Sequence, residues 1–205
     1  MKAPSPPVAL AVDPGVDFVS HTGVLWRINR ISGEHALPWD ELRYYGPVRG
    51  MRFDPHPRPP GIHDRGIMYA AGDFATAFAE VFQASRVITR SPDAELIGWQ
   101  PVRALSLLDL TGTFLSRNGA SVALTTGPKR YTQDWAHLID STLGDAIDGI
   151  RYISAMTGRT AVGLFEGSKH DPSFPLRAGF QQVLSSPSLG RIIARAATDL
   201  GFGVR

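Results

Sequence analysis

The sequence predicts an α+β fold. Short runs of β-branched and aromatic residues recur along the chain, and only a few longer segments with helical periodicity lie among them. Their order lacks the strict strand–helix alternation of a doubly wound sheet. With 205 residues, 43% hydrophobic and 20% charged, the chain is long enough for one packed core. It reads as a Pro-rich N-terminal extension, 1–21, followed by one domain over 22–205.

The elements follow in order. Residues 1–20 are rich in proline and read as extended or partly mobile. Val24-Leu25-Trp26-Arg27-Ile28 is aromatic and β-branched at its ends, which predicts a strand. Residues 32–47 carry Gly, Pro and polar residues and read as a loop with one short helical turn at most. Asp54 to Gly66 is a Pro/Gly-rich loop of the length that often carries function in a compact domain. A strand is predicted over 66–70. Asp73 then caps a helix over 74–89, with Phe74, Phe78, Val81, Phe82 and Ser85 on one face. Further strands are predicted over 102–110, 149–154 and 161–166, and helices over 131–143 and 187–199. In the last helix Ile192, Ile193 and Ala196 share a face suited to packing on its own domain.

Several function classes are disfavoured. The formal net charge is +2 without a Lys/Arg run, so no direct nucleic-acid partner is expected. The absence of cysteine excludes disulfides, Cys-ligated zinc and a Cys nucleophile, and it fits a reducing cytoplasm. The first residues lack the apolar core of a signal peptide, and no stretch of 18 apolar residues exists, so no membrane association is expected. The six histidines show no i,i+4 pair, so no metal site is expected. Neither a G-x-G-x-x-G nor a phosphate-loop fingerprint occurs, and no serine sits in a Gly-x-Ser-x-Gly elbow.

The informative residues surround the helix after Asp73. On a wheel of 100° per residue Glu80 lies off the phenylalanine face, beside Thr76, Ala77, Gln83 and Ala84. Small neighbours leave room above the carboxylate for a ligand or another backbone, although periodicity alone favours a solvated helix edge. Tyr69, eleven residues earlier at a strand end, could stack on a planar ring or be an ordinary strand tyrosine. Arg27 sits mid-strand between Trp26 and Ile28. A guanidinium there calls for an anion, either a protein carboxylate or a ligand phosphate. Arg52, with Arg49 close by, opens the Pro-rich loop and on its own would read as solvated. Tyr131 and Trp135 read as core.

Taken together, these segments resemble the RES domain, a family named for its Arg, Glu and Ser. Leu25-Trp26-Arg27-Ile28 resembles its opening strand, and Gly50-Met51-Arg52-Phe53-Asp54-Pro55 its G-x-R-[WF]-N-P stretch. Ile67-Met68-Tyr69-Ala70-Ala71 and Ala75-Thr76-Ala77-Phe78-Ala79-Glu80 resemble its strand–helix unit, including the eleven-residue spacing from Tyr to Glu. Gln133-Asp134-Trp135-Ala136 resembles a later helix. Gly149-Ile150-Arg151-Tyr152-Ile153-Ser154 and Val162-Gly163-Leu164-Phe165-Glu166 resemble its last two strands. Five motifs in order cover roughly residues 22–185. The chain departs from the family at Ile28, where many members carry an aromatic residue, and at Asp54, which stands for Asn.

The resemblance implies an ADP-ribosyltransferase-like mixed β core with flanking helices. It also implies a bacterial toxin that consumes NAD and is blocked by a cognate antitoxin, expected to be Xre-like. NAD is the implied substrate, with no further cofactor and no metal. Breaking the nicotinamide–ribose bond builds positive charge on the ribose. A carboxylate about 4 Å away, at an effective dielectric near 20, is worth roughly 4 kcal/mol, or about a thousandfold in rate. On this implication Glu80 supplies that charge, Arg27 and Arg52 hold the diphosphate, and Tyr69 stacks on nicotinamide or orients the ribose. Ser154 contacts the nicotinamide side or supports Glu80, and lacks a base that would make it a nucleophile. Open at this point are water, phosphate or a protein as acceptor, the last making a mono-ADP-ribosyltransferase, and Arg49 against Arg52 as phosphate ligand. So are homo-oligomerisation and a non-catalytic interaction module that retains the fold.

Overall fold

The computed structural model describes residues 4–205. In chain order the elements are α1 Pro14–Asp17, β1 Phe18–His21, β2 Leu25–Arg30, β3 Arg43–Gly46, β4 Gly61–Ala71, α2 Phe74–Phe82, β5 Val87–Ile88, β6 Ala94–Trp99 and β7 Leu105–Asp109. There follow α3 Phe114–Arg117, α4 Lys129–Leu143, β8 Gly149–Ile153, β9 Thr160–Leu164, α5 Gly167–His170, β10 Phe180–Val183, α6 Gly190–Leu200 and β11 Gly203–Val204.

The predicted α+β class is what is observed: a curled mixed sheet with helices around it. Nine strands form the main sheet in the order β1-β7-β8-β9-β4-β2-β6-β10, with β3 paired to β4 off this path. β7 and β8 run parallel, because a crossover carrying α3 and α4 joins them. The other pairs in this sheet are antiparallel. β5 and β11 form a separate two-stranded ribbon.

Both faces of the sheet's centre are covered. Ile67 packs with Trp135, Ile139 and Ile150 on the α4 side, whereas its neighbour Met68 packs with Leu25, Trp99 and Leu164 on the other. Successive residues in the second half of β4 therefore bury on opposite faces, and the stretch from Gly66 to Ala71 reads as a continuous apolar run without alternation. A third cluster joins α2 to α6 through Ala75, Phe78, Ile193 and Ala196, so α6 does pack on its own domain. β8 starts at Gly149, whose φ of +155° and contact with Gly163 leave no space for a side chain: a Cβ would lie 2.1 Å from the Gly163 carbonyl oxygen.

Several expectations are corrected. The N-terminal stretch is built into the fold. β1 pairs with β7 over Phe18↔Leu108 to His21↔Leu105, Pro4 accepts the Trp135 indole hydrogen at 3.0 Å, and Leu10 and Val12 pack on the core. The loop expected over 54–66 ends at Gly61, because β4 runs on past the main sheet to pair with β3, itself within the stretch read as loop. The helix after Asp73 stops at Phe82, not Thr89. Arg86 adopts a φ of +52°, and the β-branched pair Val87-Ile88 enters the small ribbon. On that helix Val81 is 51% exposed, and the buried set is Ala75 to Ala79. β6 and β10 were not expected. β6 is buried along most of its length and shows no alternation, and β10 carries two glutamines at the sheet edge. Among the described residues no helix is long and apolar enough to cross a membrane.

Candidate active site

A cleft of about 480 Å³ opens between β2, β4, α2, the end of β8 and the loop that follows β3. Arg27, Arg52, Tyr69 and Glu80 line it, and Ser154 lies directly beneath Glu80. The five candidates, spread from β2 to the end of β8, thus meet in one place. Five cationic side chains and two carboxylates line the walls, so the cleft as a whole favours an anion. Arg49 lies in a separate hollow with Pro47, Arg58 and Pro60, which leaves Arg52 as the one of the two that faces the cleft.

Glu80 reaches the cleft because α2 starts where it does. The Asp73 carboxylate accepts the Thr76 amide at 2.9 Å and the Thr76 hydroxyl at 2.8 Å, which fixes the first turn. Two turns on, Glu80 is partly buried, and its Oε1 accepts the Ser154 hydroxyl hydrogen at 2.6 Å. Ser154 is 1% exposed, and its oxygen accepts from the Met156 and Thr157 amides at 3.1 and 3.3 Å. Its proton is committed to Glu80 and its oxygen to the turn behind it. Ser154 is therefore hydrogen-bonded to the Glu80 carboxylate and is not poised for attack.

Arg27 donates to two neutral acceptors, the Trp39 carbonyl and the Asn29 side chain, both at 3.1 Å. Asn29 in turn donates to the buried Glu95 at 3.2 Å, and Gln181 donates to the other Glu95 oxygen at 2.9 Å. The carboxylate of this chain is thus one residue removed from the guanidinium. Burial lowers Arg27 to about 10, partly offset by Glu95 and Asp40, so it stays cationic at neutral pH. The sequence left its partner open between a protein carboxylate and a ligand; the structure gives it neutral partners and a free flank on the cleft.

Tyr69 differs from expectation at its tip. Its hydroxyl donates to Asp54 at 2.7 Å and accepts the Phe53 amide at 3.2 Å, so only the ring is available to a ligand. Burial first, then the Asp54 charge, push its pKa well up, and it remains a phenol. Asp54 is fully buried and also accepts from Arg43 at 2.6 Å and the Val48 amide at 2.7 Å. One carboxylate therefore ties β4 to both ends of the Arg52 segment. α4 holds that segment from outside. Lys129 donates to the Gly50 carbonyl at 2.6 Å, Thr132 to the Arg52 carbonyl, and Gln133 to the Val48 and Met51 carbonyls, each at 2.9 Å. Arg52 itself donates to the Gly127 carbonyl at 2.6 Å.

Tyr152 is a cleft residue that the sequence reading left among the strand residues. It lies on β8, two positions before Ser154 at the strand's end, and its ring packs on Phe53 at 4.7 Å. That period-two spacing was the available signal. Lys129 and Arg43 also line the cleft and carried no signal, because only the folded chain brings them there.

The comparisons agree with this architecture. A family model described as the RES domain matches residues 24–178. Among solved structures the chain is similar to one titled "Crystal structure of the M.tuberculosis MbcT-MbcA toxin-antitoxin complex", with a TM-score of 0.58 and 18% identity. The match covers 87% of this chain and 92% of the other. No curated protein matches the sequence.

Proposed function

The chain belongs to the RES-domain family, and from that premise we propose that it binds NAD in this cleft and breaks the nicotinamide–ribose bond. The observation that carries the reading is the Glu80 carboxylate, held at 2.6 Å by a buried serine, in the same cleft as Arg27 and Arg52. An oxocarbenium-like ribose needs a nearby negative charge that does not move as the bond breaks. A carboxylate fixed by a buried hydroxyl meets that need. Arg27 and Arg52, with donors left over from their backbone and amide contacts, suit the two phosphates of a dinucleotide. The Tyr69 ring offers a flat apolar surface for nicotinamide. Ser154 orients Glu80 and takes no covalent part.

A fold neighbour that is a toxin–antitoxin complex supports the reading of a protein partner. We infer a cognate antitoxin, Xre-like, that blocks the cleft. The acceptor of the ADP-ribose distinguishes a glycohydrolase or phosphorylase from a protein mono-ADP-ribosyltransferase. Purified protein incubated with NAD should release nicotinamide, and comparison with and without phosphate identifies phosphorolysis. Mass added to a lysate protein would identify transfer. Glu80→Ala should be slower by at least a hundredfold; equal rates would remove Glu80 from the chemistry.

A further inference from the structure

Tyr152 occupies a particular place in the cleft. The residue is 6% exposed and lines the cleft, and its ring packs against Phe53. Its hydroxyl has no hydrogen-bond partner among the described residues, unlike that of Tyr69, which has two. Glu80 and Arg52 line the same cleft as Tyr152. The ring is buried while the phenol oxygen, without a protein partner, stays open to the cleft, so its hydrogen-bonding capacity is free for a ligand there. Burial, with the Glu80 charge second, raises the pKa of the phenol, against a smaller opposing effect of Arg52. It therefore keeps its proton at neutral pH and acts as a donor.

We propose that Tyr152 is a further substrate-binding residue, whose hydroxyl donates a hydrogen bond to an oxygen of the ribosyl-diphosphate segment of the bound dinucleotide. The assignment rests on the NAD reading of the cleft. It follows from position. Glu80 faces the ribose in that reading and Arg52 the diphosphate, and Tyr152 lines the cleft with both. The donor would place the ribose relative to Glu80, so its loss should act on binding of the intact dinucleotide and of ADP-ribose alike. A ligand without the diphosphate segment should be indifferent to it.

The test is Tyr152→Phe, which keeps the ring and its contact with Phe53. Binding of NAD and ADP-ribose by calorimetry should weaken about tenfold, the equivalent of one hydrogen bond worth about 1.4 kcal/mol. Adenosine binding and the thermal midpoint should not change. Dissociation constants for NAD and ADP-ribose within twofold of wild type would overturn the assignment. So would equal weakening for adenosine, which would indicate a general change in the cleft. Wild-type protein that neither binds NAD nor releases nicotinamide would overturn the NAD reading first, and the role of Tyr152 would fall with it.

Discussion

At the residue scale the candidate site is organised by two buried oxygen networks of opposite purpose. Ser154 gives its proton to Glu80 and fixes one carboxylate in the cleft. Asp54 collects donors from Arg43, Val48 and Tyr69 and fixes the loop that carries Arg52. The first predicts a split in kinetics. Ser154→Ala removes a hydrogen bond to a charged group, worth about 1.5–3 kcal/mol, and leaves the arginines in place. The turnover number with NAD should fall about tenfold or more while KM changes little; a selective rise in KM would instead make Ser154 a binding residue. Some of this was legible in the chain. Glu80 beside Thr76 and Ala77, and Arg27 between apolar neighbours, could be singled out from periodicity and polarity, and the ordered motifs added Tyr69, Arg52 and Ser154. The tip of Tyr69 was not legible, because its partner Asp54 is fifteen residues away across a loop of undetermined path. Nor was the cleft face of Tyr152, because an aromatic residue in a strand usually signals core, which its ring also is.

At the element scale, α4 does for the Arg52 segment what β-pairing does for the strands. Its first turn donates to four consecutive or near-consecutive carbonyls from Val48 to Arg52, through Lys129, Thr132 and Gln133. The loop has few backbone partners of its own and depends on these side chains. Gln133→Ala should therefore free the loop without unfolding the helix. The expected outcome is a several-fold higher KM for NAD with a near-normal turnover number, and faster limited proteolysis between residues 47 and 60. An unchanged cleavage pattern would show that the Asp54 network alone suffices. The helix itself could be predicted over nearly its full length, since Trp135, Ala136 and Ile139 recur on one face. The strands that escaped prediction failed for stated reasons: β6 is buried on both faces and β3 is polar and short.

At the scale of the whole molecule, the N-terminal segment closes the sheet. β1 covers the outer edge of β7, and Ala11 exchanges hydrogen bonds with Asn118 at 2.7 and 3.0 Å. Its prolines predicted an extension, and proline does keep residues 4–12 out of regular structure, but apolar Leu10, Val12 and Phe18 dock them on the core. Removing residues 1–21 would strip β7 of its outer partner and expose both apolar surface and unpaired backbone. The shortened chain should melt several degrees lower and form aggregates in size-exclusion chromatography. A monodisperse product with an unchanged melting point would mean that the segment is dispensable.

The order of strands across the sheet has a consequence for synthesis. β4, which carries Tyr69, is flanked by β2 and by β9, and β9 is made more than ninety residues after β4 begins. Ser154 follows β8, so the carboxylate of Glu80 waits for its hydroxyl until three-quarters of the chain has left the ribosome. A polypeptide released between residues 80 and 149 would hold Glu80 and both arginines but lack β8, β9 and the serine. Its central strand would be bare on one side and its carboxylate unsupported. On the proposed NAD-cleaving activity, an interrupted round of translation would yield debris for proteolysis and no active fragment.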